Sequence, residues 1–279
     1  MSTKHTLIAA LAGLVPFFCL AQASPATAAA AASAAPSSAQ ALFKWQARPA
    51  RQGAEAYFTN LQNNATIETP FRATFGLTGG WGLAPISVPQ GGKSGHHHLL
   101  INRDLPLDFK KALPFDDQYM HFGKGQMETV LTLEPGTSTL RLLLADGSHL
   151  PHFVYSKPLK ITVTRKNKDI DPATLVKKGI SLPNIAANAA LKPPFTVQFH
   201  ASGLNVANLR QKEKDTGHFR LTVSPQDGAK PVEMDFTKGE TEALLTPPAG
   251  AYVLKLDFIN NTAAGKMLAE SVSTPITVE

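Results

Sequence analysis

The sequence predicts an all-β protein built from two tandem β-sandwiches behind an export signal and a flexible linker. Three observations carry that expectation. The 279 residues include 21 prolines and 20 glycines, which cut the apolar runs into short strands and leave no long helical pattern. Hydrophobic residues make up 43% of the chain, enough for most of it to fold, and the length suits two cores. The second half also repeats residues of the first half in the same order.

The amino terminus reads as a cleaved leader. Lys4 supplies the positive start, Thr6 to Leu20 an apolar run broken only by Thr6, Gly13 and Pro16, and Ala21-Gln22-Ala23 a small-x-small cleavage site. The run falls short of the roughly 20 residues that a spanning helix needs. Residues 1–23 are therefore expected to be a signal peptide, leaving a periplasmic or secreted chain with no membrane span. Cys19 is the one cysteine and leaves with the leader, so the mature chain would hold neither a disulfide nor a thiolate ligand. Loss of Lys4 takes the formal charge from +6 to +5. That balance is mildly basic and the Lys and Arg residues are scattered, which argues against nucleic acid as a partner. Residues 24–53 start as almost pure Ala, Ser and Pro and read as a tether.

A first domain is expected over residues 54–164. Tyr57-Phe58 and Phe71 to Leu77 read as strands about a polar turn from Asn60 to Ala65, and Gly79-Gly80-Trp81-Gly82 reads as a loop. His96 to Ile101 is a further strand. Asn102 to Asp117 is a long connection. Gln126 to Leu133 and Thr139 to Ala145 flank the turn Glu134-Pro135-Gly136, and Leu159 to Thr164 closes the domain. Residues 165–178 are a polar join, and residues 179–279 a second domain. Short strands at this spacing suggest sandwiches of immunoglobulin-like type.

The repeat supports that division. Asn60, Asn64, Pro70-Phe71, Phe75 and Gly79 recur as Asn184, Asn188, Pro194-Phe195, Phe199 and Gly203 at one constant offset. Gly95-His96 matches Gly217-His218. Phe122, Lys124, Gly125 and Glu128 match Phe236, Lys238, Gly239 and Glu242.

Chemistry concentrates in the first copy. Six of the nine histidines lie between residues 96 and 152. His97 aligns with Phe219, Leu99 with Leu221 and Ile101 with Val223, so alternation along a strand puts His97 on the core face and His96 with His98 on the other. Copy two keeps His218 for His96 but has Arg220 for His98 and Asp235 for His121. A bland role for His96 is a hydrogen bond to Glu128, since both residues recur. The five candidate metal ligands are His96, His98, His121, His149 and His152. Neutral imidazole is a common ligand of zinc and copper, and two histidines at i and i+2 of a strand project from one face. Met120 and Met127 add soft sulfur for copper(I).

The run Gly95-His96-His97-His98-Leu99, then His121-Phe122-Gly123-Lys124-Gly125-Gln126 with Glu128, then Pro135-Gly136, Leu140 to Leu144, Asp146, His149, Pro151 and His152 resembles the bacterial family catalogued as domain of unknown function 4399. The resemblance covers roughly residues 55–164, with the second half a diverged relative. It implies an exported protein and brings no activity. Ser138 stands where the Pro-Gly-x-His-Thr-Leu pattern places a histidine, so a site using that residue would be incomplete.

No Gly-x-Ser-x-Gly elbow, His-Glu-x-x-His pair or Walker loop occurs. Asp104, Asp116, Asp117 and Glu128 read as solvated charges. The chain is thus expected to be a non-enzymatic binding protein whose first domain carries a histidine-lined site for copper or zinc. The rival is a module that binds envelope glycan or serves assembly, with structural histidines. Trp81 beside Tyr119 would be its contact, unless the indole plugs one end of the sandwich.

Overall fold

Alternating apolar and polar residues set which face of each strand is buried, and the computed structural model follows that pattern; it describes residues 55–279 apart from Leu107 and Ala264. The expected leader and linker lie outside the described residues. Every element among the described residues is a strand except one short 3-10 turn, Pro172–Leu175, in the join. Asp171 starts that turn by accepting the Ala173 N–H at 3.0 Å.

In the first half, the larger sheet runs in the order Ala65–Thr69, Leu159–Lys166, Gly136–Ala145, Ser94–Ile101, Gly82–Leu83. Tyr119–His121 pairs with the Ser94–Ile101 strand, and Pro151–Tyr155 with Gly136–Ala145. The smaller sheet has the order Ala56–Phe58, Phe71–Leu77, Glu128–Leu131. Phe75, Leu99, Met127, Leu140 and Leu142 are fully buried in the core. The second half repeats the plan. One of its sheets runs Ala189–Leu191, Val272–Val278, Gly250–Asn260, Thr216–Pro225, Asn205–Val206, with Val232–Phe236 on Thr216–Pro225. Against it lie the pairs Gly179–Ser181 with His200–Ser202 and Phe195–Gln198 with Glu242–Leu245. The protein is two tandem immunoglobulin-like β-sandwiches.

The repeat is visible atom by atom. Asn60 donates from Nδ2 to Arg72 O at 2.7 Å and accepts the Thr74 N–H at 2.9 Å. Asn184 does the same with Thr196 O and Gln198 N–H, at 2.7 and 2.9 Å. Asn64 and Asn188 both take left-handed backbone, φ 65° and 61°, which Asn tolerates better than other side chains.

The halves also touch through equivalent atoms. Leu83 N–H donates to Gly239 O at 2.8 Å, and Val206 N–H to Gly125 O at 2.9 Å. Gly125 and Gly239 sit at φ 90° and 85°, and a Cβ on either would overlap the Val206 or Leu83 carbonyl oxygen. Glu128, expected at the surface, is instead a buried link between the halves. Its Oε1 accepts from Ser202 Oγ and Gly203 N–H, both at 2.8 Å, and its Oε2 accepts from His200 Nε2 at 3.1 Å and Arg72 Nη1 at 3.3 Å. Burial pushes the Glu128 carboxyl up, but the His200, Gly203 and Ser202 bonds outweigh it and hold it below the ordinary range. His200 takes its role across this contact. Glu242, the repeat mate of Glu128, accepts from Tyr57 Oη at 3.1 Å, again across the halves.

Four strands of the first half have no clear local signal: Ala65–Thr69, Gly82–Leu83, which starts in the stretch read as a loop, Tyr119–His121 and Pro151–Tyr155. Ala65–Thr69 pairs in parallel with Leu159–Lys166, a partner far along the chain, and Pro151–Tyr155 follows a tight turn. Register with a distant partner is a tertiary property.

Candidate metal centre

The strand Ser94–Ile101 carries alternate residues to opposite faces, and its three histidines divide accordingly. His97 points inward with Leu99. It is fully buried, its ring 5.6 Å from that of Phe75, and neither ring nitrogen has a partner. Burial lowers its pKa from the usual 6.5 to about 3. His96 and His98 point to the outer face, both fully buried, with their Nε2 atoms 2.9 Å apart. One of these nitrogens donates its N–H to the lone pair of the other.

His121 reaches the same place because its strand pairs with Ser94–Ile101 in the register His98 to His121. His149 arrives from a tight turn. The Asp146 carboxylate accepts the N–H groups of Ser148 and Leu150, at 2.8 and 2.9 Å, and the Asp146 carbonyl accepts His149 N–H at 2.9 Å. These bonds hold His149 in left-handed backbone, φ 63°, at a cost of about 1 kcal/mol for a residue of this kind.

The outcome is a cluster of four imidazoles. Ring centroids are 4.7 Å apart for His96 and His121, 5.2 Å for His96 and His149, 5.0 Å for His121 and His149, and 5.1 Å for His98 and His121. Nitrogens of His96, His121 and His149 all lie within 4.8 Å of one another, a spacing from which one ion can be held. His96 Nδ1, His121 Nε2 and His149 Nε2 are buried without a hydrogen-bond partner. Burial, then the neighbouring imidazoles His98, His121 and His149, drive the His96 pKa down to about 2. Burial and the neighbours His121 and His149 drive His98 to about 3. His121 is lowered too, by burial and then His149. Rings so poor at binding protons keep their lone pairs at neutral pH, the form a metal ligand needs.

Two residues that sequence reasoning missed complete the site. Phe115, on the long connection, lies 4.6 Å from the His149 ring, 5.0 Å from His121 and 6.2 Å from His98. Gly123 leaves room for His121, since a Cβ there would overlap Cε1 and Nε2 of that ring. The Phe115 contact has no local signal. Gly123 had one, because copy two carries Thr237 at the matching position.

His152 is placed elsewhere. Pro151 and His96 both pair with Ala145 and so share its face, which turns His152 to the opposite one. Its ring lies 4.7 Å from the Trp81 indole and its Nε2 is 3.1 Å from Ser94 O. Trp81 is half-buried on the core rather than set beside Tyr119. Met127 is wholly in the core and Met120 packs against it, so neither thioether faces the imidazoles. His96 does not bond Glu128, whose partners lie in the second half. Ser138 shares the core face with Leu140, Leu142 and Leu144, about 23 Å along the strand from Ala145 at about 3.3 Å per residue. A histidine at that position would not reach the cluster.

The family model for a domain of unknown function, DUF4399, matches residues 73–164 and again 197–279. The chain belongs to that family. Both family segments coincide with the sandwiches, and the histidine cluster falls wholly in the first. No curated protein sequence matches the chain. Among solved structures, it is similar to the fibronectin(III)-like modules of Clostridium thermocellum CbhA, at 10% identity and a TM-score of 0.26, over 80% of this chain and 94% of that one. It is similar to a two-domain fibronectin type-III segment of chicken tenascin, at 16% identity and 0.21, over 80% and 97%. The three N-terminal domains of the bacteriophage RB49 outer capsid protein Hoc match at 8% identity and 0.24, over 81% and 70%.

Proposed function

We propose that this family member is an exported, periplasmic or secreted binding protein that holds copper or zinc in its first sandwich. The observation that carries the reading is the meeting of His96, His121 and His149, from two strands and a turn, with nitrogens within 4.8 Å of one another. His98 stands beside them as a fourth imidazole. Packing alone does not account for the cluster, because four of its buried nitrogens, His98 Nδ1 among them, have no partner and such nitrogens cost stability. Imidazole suits both copper and zinc. The leader-like start supports export, and among the described residues no helix is long and apolar enough to cross a membrane. His152 is not part of the proposed ligand set.

The test is metal content and calorimetry on tag-free protein with copper and with zinc, beside a His98→Ala/His121→Ala double variant. One ion per chain, lost in the variant, is the expected result. Equal behaviour of the two proteins would make the histidines structural and turn attention to an envelope partner.

A further inference from the structure

We infer, resting on the metal-site reading above, that the ion is monovalent copper and that Phe115 helps to select it. The donor set is electrically neutral. The group able to hold an ion contains three histidines and neither carboxylate nor cysteine. The nearby acids turn elsewhere: Asp146 accepts Ser148 and Leu150 N–H groups, and Asp116 accepts Gln118 N–H at 2.8 Å. The full charge of the ion therefore stays uncompensated by its ligands.

The surroundings make that charge expensive. His96 and His98 are fully buried beside an apolar cluster of Leu100, Leu113, Leu143 and Ala145, while His121 and His149 are half-buried. The cost of placing an ion in such a medium grows as the square of its charge, so a divalent ion costs about four times what a monovalent one of similar size does. Zinc normally meets this by completing a tetrahedron with an anionic ligand or a water. Here Phe115 lies against three of the four imidazoles, with His121 and His149 nearly perpendicular to it, at 86° and 81°. An aromatic ring offers a cation its π-system and no lone pair, which suits a soft monovalent ion and serves a hard, water-seeking one poorly.

The test is anaerobic competition on the full chain: copper(I) against a chromophoric copper(I) chelator, and zinc(II) against a zinc indicator. Wild type is compared with Phe115→Ala, Phe115→Leu and His98→Arg/His121→Asp. Copper(I) should bind roughly a hundredfold more tightly than zinc(II). Phe115→Ala should weaken copper(I) about tenfold while changing zinc(II) little, and Phe115→Leu, which keeps an apolar cover without the π-system, should fall between. Phe115 is 58% exposed, so neither change threatens the fold. Zinc(II) bound as tightly as copper(I), or a copper-to-zinc ratio unmoved by both Phe115 variants, overturns this inference and leaves the metal site standing. Failure of wild type to bind either ion overturns the metal site itself.

Discussion

The two sandwiches place different chemistry at one structural position. In the first, His98 lies across from His121; in the second, Arg220 lies across from Asp235 in the equivalent register. Arg220 donates from Nε and Nη2 to the two Asp235 oxygens at 2.7 and 3.0 Å, at a position open to water. His218, the mate of His96, is satisfied by Asn261 at 2.8 Å. What separates the copies is the chain between the paired strands. In the second it is the short turn of residues 226–231. In the first it is residues 102–118, which bring Leu113 into a second apolar cluster on the outer face and set Phe115 against the imidazoles. A charged pair suits the open face. Under the cover, neutral imidazoles replace it. Burial of His98 where the second copy has a half-exposed Arg220, rather than the register, is what the two copies do differently.

That comparison can be broken most sharply by transplanting the pair. His98→Arg/His121→Asp should abolish metal binding, a loss of at least about a hundredfold in affinity by calorimetry, with the β-rich circular dichroism spectrum retained. Persistent binding would show that the pair is not what distinguishes the copies.

The contact between the copies gives the next largest effect. Glu128→Ala removes the acceptor of His200, Ser202 and Gly203 and should cost about 3–5 kcal/mol in denaturant unfolding. The Glu128 carboxyl is depressed in the fold, so its contribution is present above the unfolded value of about 4.5 and is lost as pH falls through the folded one. Wild type should therefore lose stability below about pH 4.5 more steeply than Glu128→Ala does. Parallel acid profiles would mean that the carboxylate is not the link.

His97 offers a smaller effect of opposite sign. Its mate is Phe219, and its two ring nitrogens are buried without partners. His97→Phe should stabilise the protein by about 1–2 kcal/mol, read as a higher Tm. The folded pKa of His97, about 3, lies below the usual 6.5, so the unfolded chain takes up a proton first and stability falls as pH drops from 6.5 toward 3. The Phe variant should flatten part of that fall. A lower Tm would show that the core has no room for the larger ring.

The mildest change is Gly123→Ala, which gives the first copy a side chain where the second has Thr237. It should displace His121 and weaken metal binding about tenfold with little change in Tm. Unchanged affinity would place His121 outside the ligand set.

The sequence by itself determined the all-β class, the repeat and the faces of the central strand. These follow from side-chain alternation and from comparing each residue with its mate, so His97 is inward and His96 and His98 outward without any tertiary information. It also marked His121, because only the first copy has a histidine there. Tertiary structure alone decided the rest. His149 joins the cluster through a turn tied by Asp146, while His152, three residues on, is turned away because Pro151 begins a strand on the other side of that turn. Phe115 meets the imidazoles from a connection with no periodicity to read. Glu128 and His200 find each other across the two halves. Contacts between residues far apart in sequence depend on how strands register and pack, and no local pattern of residues encodes that.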